Sequence, residues 1–402
     1  MKLLAKKFLS YNAPQVAKEM GIYPYFREIE SDQDAVVTIN GKKVLMFGSN
    51  SYLGLTNHPK IKEASIEAIK KYGTGCAGSR FLNGTLDIHT ALERKLAKLL
   101  GKDDAIVYST GFGVNLGVVS SLTSRADYLI YDEMDHASII DGRRLSFSTC
   151  LKYKHNDMDS LEQQLKKCQD GKIKLIVVDG VFSMEGDVVK LTEICDLAQK
   201  YDASVMVDEA HSLGVFGDCG RGLCNKLGLT DKVDLIMGTF SKSLASIGGV
   251  IAGDKEVINY LRHHSRPYIF SASLPPSAVA AVSAAVDIML SEPERQDHLW
   301  KLTEYALSKF RELGFEIGHT STPIIPLYVR DNDNTFKITR MLLDDGIFVN
   351  PVVSPAVAPN DTLIRFSLMA THTFEQLDEA IEKIHKNFVL LEILECEEML
   401  TE

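Results

Sequence analysis

The chain has 402 residues, of which 45% are hydrophobic and 24% are charged, as is ordinary for a globular protein. Its formal net charge of −10 argues against a nucleic-acid-binding surface, although a locally basic cleft could still accept an anionic small molecule. The seven cysteines show no C-x-x-C spacing, so we expect reduced thiols, no metal site and a cytoplasmic location.

The N-terminal segment MKLLAKKFLSY interleaves lysines with large apolar side chains. It lacks the unbroken apolar core and the small-residue cleavage site of a secretory signal. No apolar run of the chain reaches the roughly 18 residues of a membrane span. The pattern predicts an amphipathic helix that either packs on the protein itself or makes peripheral contact with a membrane surface. We assign residues 1–45 to an N-terminal arm.

Short runs rich in valine and isoleucine then alternate with helical patterns such as Ser160–Lys167 and Leu191–Lys200. This alternation is typical of an α/β fold in which helices cover a mainly parallel sheet, and we place that large domain at residues 46–285. The predicted strands are Ala105–Ser109, Tyr128–Tyr131, Leu175–Asp179, Ser204–Asp208, Asp234–Gly238 and Gly249–Ala252.

After Pro275-Pro276 the pattern changes. Two long helices and two short strands come next, followed by a final helix from about Phe374. We interpret residues 286–402 as a smaller α+β domain. Its predicted elements are helices Ser277–Leu290 and Gln296–Leu313 and strands Ile324–Val329 and Leu363–Ser367.

Polar side chains at the ends of the predicted strands are candidates for a site, because ligands collect at the carboxyl ends of an open α/β sheet. Asp208 follows one strand directly, with His211 three residues later. The string D-E-A-H also occurs in helicases, which need an upstream phosphate loop with a lysine. The nearest glycine-rich segment, residues 73–80, lacks that lysine, so we disfavour a helicase.

Lys242 follows another buried strand and is flanked by the hydroxyl residues Thr239 and Ser241. A lysine held in a partly desolvated site can have a depressed pKa and can form a Schiff base. The neighbouring hydroxyl groups are suitable donors to a phosphate. We therefore predict that Lys242 carries a carbonyl cofactor.

Three further strand ends fit the same cleft. Gly111-Phe112-Gly113 leads from a strand into a helix N-terminus, a natural cradle for a phosphate, though without the G-x-G-x-x-G spacing of a dinucleotide site. His136 follows the next strand and could lie flat against an aromatic cofactor, and Ser183 ends another. Each of these segments taken alone also fits ordinary turn chemistry, and His155 and His211 also fit structural roles.

Taken together, these motifs resemble the α-oxoamine synthase family of fold-type I pyridoxal-phosphate enzymes over nearly the whole chain. That resemblance implies a seven-stranded type of sheet in the large domain. The motifs stand in the family's order and are NSYLGL (50–55), GTGCAGSRFLNGT (73–85), DGVFSMEGD (179–187), VDEAHSLG (207–214), GTFSKS (238–243) and IRFSLMATHT (364–373).

The resemblance implies a role for each matching residue in a pyridoxal 5'-phosphate site. Lys242 would hold the cofactor covalently and act as general base, and Asp208 would pair with the ring nitrogen. His136 would stack on the ring and contact substrate, and Arg365 would bind the substrate carboxylate. The other implied cofactor contacts are His211 and Ser183 at the ring hydroxyl, Gly111, Phe112, Thr239 and Ser241 at the phosphate, and Ser271 and Ala272 from the partner of a homodimer.

Within the family, the stretches GTFSKSLASIGG and FVNPVVSPAV are most similar to members that join L-serine to a long-chain acyl-CoA. The resemblance thus implies a decarboxylating condensation of L-serine with palmitoyl-CoA to 3-oxosphinganine, the first step of sphingolipid biosynthesis. Glycine C-acetyltransferase, 8-amino-7-oxononanoate synthase and 5-aminolevulinate synthase share these motifs and stay open. A catalytically silent regulatory subunit is disfavoured because Lys242, Asp208 and His136 are all present.

Overall fold

The computed structural model describes residues 1–354 and 356–395. The chain divides into two compact units. The large unit is Asn50–Trp300, and the small unit joins Met1–Ser49 to the described residues from Lys301 onward. The predicted domain boundaries at 45/46 and 285/286 lie near these divisions and stay predictions.

The regular elements follow one another along the chain as strands and helices with short connections. The strands are β1 (Val36–Ile39), β2 (Lys42–Met46), β3 (Asp104–Tyr108), β4 (Tyr128–Asp132), β5 (Thr149–Tyr153), β6 (Lys174–Asp179), β7 (Ser204–Asp208), β8 (Leu235–Thr239), β9 (Gly249–Gly253), β10 (Ile324–Tyr328), β11 (Ile347–Phe348), β12 (Asn350–Val352) and β13 (Leu363–Ser367). The helices are α1 (Leu3–Lys7), α2 (Ala13–Glu19), α3 (Pro59–Tyr72), α4 (Asp87–Leu100), α5 (Gly111–Leu122), α6 (Ala137–Leu145), α7 (Met158–Leu165), α8 (Leu191–Tyr201), α9 (Leu223–Lys226), α10 (Lys255–His264), α11 (Arg266–Ile269), α12 (Pro276–Ser291), α13 (Glu294–Glu312), α14 (Asn332–Asp344) and α15 (Phe374–Leu390).

The large unit is built on a seven-stranded sheet with the order β3-β9-β8-β7-β6-β4-β5. Strands β8, β7, β6, β4 and β5 are parallel, whereas β9 runs antiparallel to both of its neighbours. Every residue of β6, β8 and β9 is buried, as expected for strands with helices on both faces. The predicted α/β class with a mainly parallel seven-stranded sheet is confirmed.

Local sequence explains where several helices of this unit begin and end. Thr110 caps α5 by accepting a hydrogen bond from the Gly113 amide at 2.9 Å, and Asp157 caps α7 in the same way. Helix α4 ends at Gly101, whose φ of 65° is readily adopted by glycine. Helix α12 begins with Pro276 in its first turn, where a missing backbone N–H costs little.

The small unit contains two three-stranded sheets, with the orders β1-β2-β11 and β10-β13-β12. Phe47 stacks on Phe366 with ring centroids 4.4 Å apart, and Phe310 meets Phe366 edge-on at 5.3 Å. The last helix, α15, begins at Phe374, as predicted. A capping box between Thr373 and Gln376 stabilises its first turn. This unit therefore has its own apolar core.

The N-terminal segment forms two short helices, α1 and α2. Helix α1 lies within the predicted amphipathic segment, and all five of its side chains are exposed. Within residues 1–354 and 356–395, no helix is both long and apolar enough to cross a membrane.

The cysteines that the structure describes are free thiols. They are Cys76, Cys150, Cys168, Cys195, Cys219 and Cys224, and Cys396 lies outside the described residues.

Candidate active site

A cavity of about 320 Å³ lies in the large unit where β6, β7 and β8 end. Asp179, Asp208 and Thr239, the last residues of these three strands, all line it. The complete lining is Thr110, Gly111, Phe112, Asn115, His136, Ser138, Asp179, Asp208, Ala210, His211, Met237, Thr239, Ser241, Lys242, Ile247 and Gly248. The cavity thus occupies the position where open α/β sheets bind ligands.

The first turn of α5 lines the cavity together with two hydroxyl groups, those of Thr239 at the end of β8 and of Ser241 just after it. Gly111 packs so closely on Thr239 that a Cβ atom there would lie 2.5 Å from the Thr239 hydroxyl oxygen. The Thr239 and Ser241 hydroxyl oxygens lie 3.0 Å apart. A helix N-terminus beside two hydroxyl donors is a suitable site for a dianionic phosphate.

The Asp208 carboxylate is buried, with 3% of the residue exposed. Asn115 Nδ2 donates to Asp208 Oδ2 at 2.6 Å, and the Ala210 amide donates to Oδ1 at 2.8 Å. Both oxygens therefore accept hydrogen bonds from neutral donors. A buried negative charge held in this way can bind a cationic nitrogen of a ligand.

His136 stands at the start of α6, where its ring caps the helix. Its backbone N–H donates to Asp179 Oδ2 at 2.8 Å, and its Nδ1 lies 2.7 Å from Ser138 Oγ. Burial lowers the pKa of His136, an effect that the Asp208 carboxylate opposes and the Lys242 ammonium reinforces. Burial thus favours the neutral form of this imidazole.

Lys242 follows β8 and lines the cavity together with His211. The His211 Nδ1 atom lies 2.6 Å from the Tyr52 hydroxyl group, which fixes the position of this buried ring. An amine, a carboxylate, two imidazoles and an anion-binding turn thus converge on one cavity.

A layer of buried carboxyl groups lies next to the cavity. Burial and the neighbouring carboxylates raise the pKa of Asp135 and Asp179 well above the ordinary value. His155 lies 3.1 Å from Asp132 Oδ1 and 3.4 Å from Asp187 Oδ2. Although burial acts to lower it, these two hydrogen bonds raise the pKa of His155 to about 9.

Eight of the residues predicted for the site line the cavity. Ser183 lies in the turn after β6, and Ser271 and Ala272 are exposed after α11; all three lie outside that lining. Arg365 belongs to the small unit, where it is buried on β13 and donates to Ser367 Oγ at 2.6 Å. The roles of all twelve predicted residues stay predictions.

Asn115 and Ser138 line the cavity without having been assigned a role from the sequence. The sequence does mark Asn115 as unusual, because it is the single polar side chain in the stretch GFGVNLGVV (111–119). Glu209, the second letter of D-E-A-H, is fully buried and accepts hydrogen bonds from the Leu223 and Cys224 amides at 2.7 Å each. Its role is structural.

Comparison with known proteins gives concordant results. The family model "Aminotransferase class I and II" matches residues 42–384. A serine palmitoyltransferase of Bacteroides thetaiotaomicron is 61% identical over 98% of this chain and 100% of that protein, and an 8-amino-7-oxononanoate synthase of Alkaliphilus metalliredigens is 43% identical over 92% and 94%. A solved serine palmitoyltransferase from S. paucimobilis is 33% identical, with a TM-score of 0.94 over 98% of this chain and 100% of that one.

These matches confirm both the predicted fold and the resemblance drawn from the motifs, since they cover nearly the whole chain. The chain belongs to the aminotransferase class I and II family, as an α-oxoamine synthase similar to serine palmitoyltransferases.

Proposed function

We propose that this chain is a pyridoxal-phosphate-dependent acyltransferase. It condenses L-serine with palmitoyl-CoA and releases CO2, CoA and 3-oxosphinganine, the first intermediate of sphingolipid biosynthesis. The identity of 58–61% to three serine palmitoyltransferases over nearly the full length supports this proposal. The identity to 8-amino-7-oxononanoate synthases is lower, at 41–43%.

The cavity residues fit pyridoxal phosphate. Gly111, Thr239 and Ser241 suit the phosphate group, the Asp208 carboxylate suits a protonated ring nitrogen, and Lys242 supplies the amine for covalent attachment. A solved serine palmitoyltransferase 33% identical to this chain carries the same cofactor. When bound, pyridoxal phosphate supplies an electron-withdrawing ring that stabilises negative charge at the Cα atom of an amino acid.

The predicted site residues have separate tasks in this proposal. Lys242 removes the Cα proton of serine as general base. Asp208 keeps a proton on the ring nitrogen, since both of its oxygens are held by neutral donors. His136 would lie against the bound ring and contact the substrate, and Arg365 would bind the serine carboxylate through charge-assisted hydrogen bonds.

We also propose that the enzyme works as a homodimer in which Ser271 and Ala272 complete the partner's phosphate site. The exposed apolar side chains of Phe81, Leu82 and Phe270 in the large unit support a protein contact there. Light scattering of the purified protein tests this proposal, and a monomer with full activity would contradict it.

We propose that the protein is cytoplasmic and makes peripheral contact with a membrane through its N-terminal segment. Leu3, Leu4, Phe8 and Leu9 are each at least 57% exposed and alternate with lysines, which suits an anionic lipid surface. Flotation with anionic vesicles, compared between the full chain and a variant lacking residues 1–11, tests this contact. Equal binding by both would contradict it.

The convergence of Lys242, Asp208 and the Gly111 turn on one cavity carries the proposed chemistry. The experiment that tests the substrates measures kcat/KM for serine and glycine, each with acyl-CoAs from acetyl to palmitoyl. Because each buried methylene contributes about 0.8 kcal/mol, efficiency with serine should rise with chain length. Preference for glycine with acetyl-CoA, or for alanine with a dicarboxylic acyl group, would contradict the choice of substrates.

A further inference from the structure

Asn115 is a buried polar residue of the cavity to which the proposed chemistry assigns no task. It is 1% exposed and lies on α5, one turn after Gly111. Its Nδ2 atom lies 2.6 Å from Asp208 Oδ2 and 2.9 Å from Ser138 Oγ. A single amide therefore contacts both the carboxylate and a serine that contacts His136.

The orientation of the Asn115 amide follows from its neighbour. An ionised carboxylate accepts hydrogen bonds and cannot donate them, so the atom 2.6 Å from Asp208 Oδ2 must be the NH2 group. The opposite orientation would place the amide oxygen against the carboxylate. With the amide as it stands, Asn115 Oδ1 has no hydrogen-bond partner within the described part of the chain. The contact with Asp208 thus decides the orientation.

The positions of the remaining hydrogens follow one from another. The two N–H bonds of Asn115 point to Asp208 and to Ser138 Oγ. Ser138 Oγ accepts from Asn115, so its own hydrogen is available for His136 Nδ1, 2.7 Å away. The Ser138 backbone N–H also approaches this Nδ1, at 3.3 Å. Nδ1 is then an acceptor, and the proton of the neutral ring is on Nε2.

We propose that Asn115 is a positioning residue that orients the Asp208 carboxylate and, through Ser138, holds His136 as the Nε2–H tautomer. This inference rests on the proposed function only in taking Asp208 and His136 as the residues that face the cofactor. As a consequence, Nε2 of His136 carries a hydrogen and can donate a hydrogen bond, whereas Nδ1 accepts from Ser138.

The first test reads the tautomer directly in the wild-type protein and uses a variant only to assign the His136 signals. The full-length enzyme, purified with its cofactor and labelled with 15N-histidine, is studied by long-range 1H–15N correlation NMR at pH 7.5. H136Q identifies the His136 signals among the eleven histidines. We expect an unprotonated Nδ1 and a protonated Nε2. A proton on Nδ1, in either a neutral or a charged ring, would overturn the proposal.

The second test reverses the direction of the hydrogen bonds. The carboxyl group introduced by N115D would share one proton with the adjacent Asp208 carboxylate, and its other oxygen, which faces Ser138, would accept. The Ser138 hydroxyl group must then turn to that oxygen and can accept from His136 Nδ1. We expect Nδ1 of His136 to become protonated in N115D. If its 15N shifts stay at the wild-type values, Asn115 does not control the tautomer.

A third measurement separates positioning from general damage to the fold. N115A should lower kcat/KM for serine about ten- to a hundredfold per bound cofactor, because a hydrogen bond to a charged group is lost. The matched control is S120A on the same helix, whose hydroxyl donates to the Leu116 carbonyl away from the cavity. Equal activity of N115A and S120A would contradict the role of Asn115.

These tests distinguish failure of this inference from failure of the proposed function. The NMR result depends on neither serine nor palmitoyl-CoA. A wild-type enzyme inactive with those substrates but showing the Nε2–H tautomer would contradict the function alone. An active wild-type enzyme with the opposite tautomer would contradict this inference alone.

Discussion

His155 provides a measurable link between the buried carboxyl groups and the stability of the fold. Its imidazole connects Asp132, at the end of β4, to Asp187, in the turn that carries Ser183. Phe182 packs edge-on against the ring at 4.4 Å. We predict that H155Q destabilises the protein most strongly at acidic pH and less as the pH rises.

The magnitude follows from the pKa of His155, which is about 9 in the folded chain against an ordinary value of 6.5. Because the folded chain binds this proton more tightly, the stabilisation is fully present below about pH 6.5 and is lost as the pH rises through about 9. A rise of this size corresponds to about 3 kcal/mol. The side chain is 19% exposed, and allowing for solvent screening we expect about 2 kcal/mol.

The assay is urea unfolding of wild type and H155Q between pH 6 and pH 10. The difference in unfolding free energy between the two proteins should shrink by about 2 kcal/mol across this range. H319Q, which alters an exposed histidine, is the matched control and should follow wild type at every pH. Parallel curves for wild type and H155Q would refute the reasoning, because the ion pairs would then not depend on the His155 proton.

Three further predictions concern the proposed cofactor and substrate residues. K242A should lose turnover and the visible absorption of bound cofactor; a borohydride-reducible bond elsewhere in this variant would reject the assignment. D208N should bind the cofactor more weakly and lose most activity, because an uncharged amide cannot hold the ring nitrogen protonated; near-normal turnover would remove Asp208 from the mechanism. R365A should raise KM for serine about tenfold or more, with little change for palmitoyl-CoA, since it loses a charge-assisted contact of about 1.5–3 kcal/mol. An unchanged serine KM would instead indicate that Arg365 is structural.

The sheet could be predicted where both faces of a strand are buried. Strand β6 has the sequence KLIVVD and is buried at every position, so its apolar run is nearly continuous. The edge strand β5, TCLKY, was missed because only its last residue is buried and its sequence mixes polar with apolar side chains. The antiparallel direction of β9 could not be predicted either, since its apolar run is the same in both directions.

The candidate site could be predicted where a polar residue directly follows a buried strand. Asp208, Thr239 and Lys242 were found in this way and line one cavity. Asn115 was missed because its partners, Asp208 and Ser138, are 93 and 23 residues away in sequence. These three residues meet only in the folded chain, where α5 packs on α6 and Asn115 reaches the last residue of β7.

Helix α5 carries two of the groups discussed above, Gly111 in its first turn and Asn115 one turn later. Each residue of an α-helix is rotated by about 100° from the one before it. One residue inserted between Gly111 and Asn115 would therefore rotate the amide away from Asp208 while leaving the helix intact. An insertion after Leu122, where α5 ends, would change neither group. The spacing between these two positions is thus as much a functional requirement as their identities, and homologous chains should vary in length after the helix before they vary within its first turns.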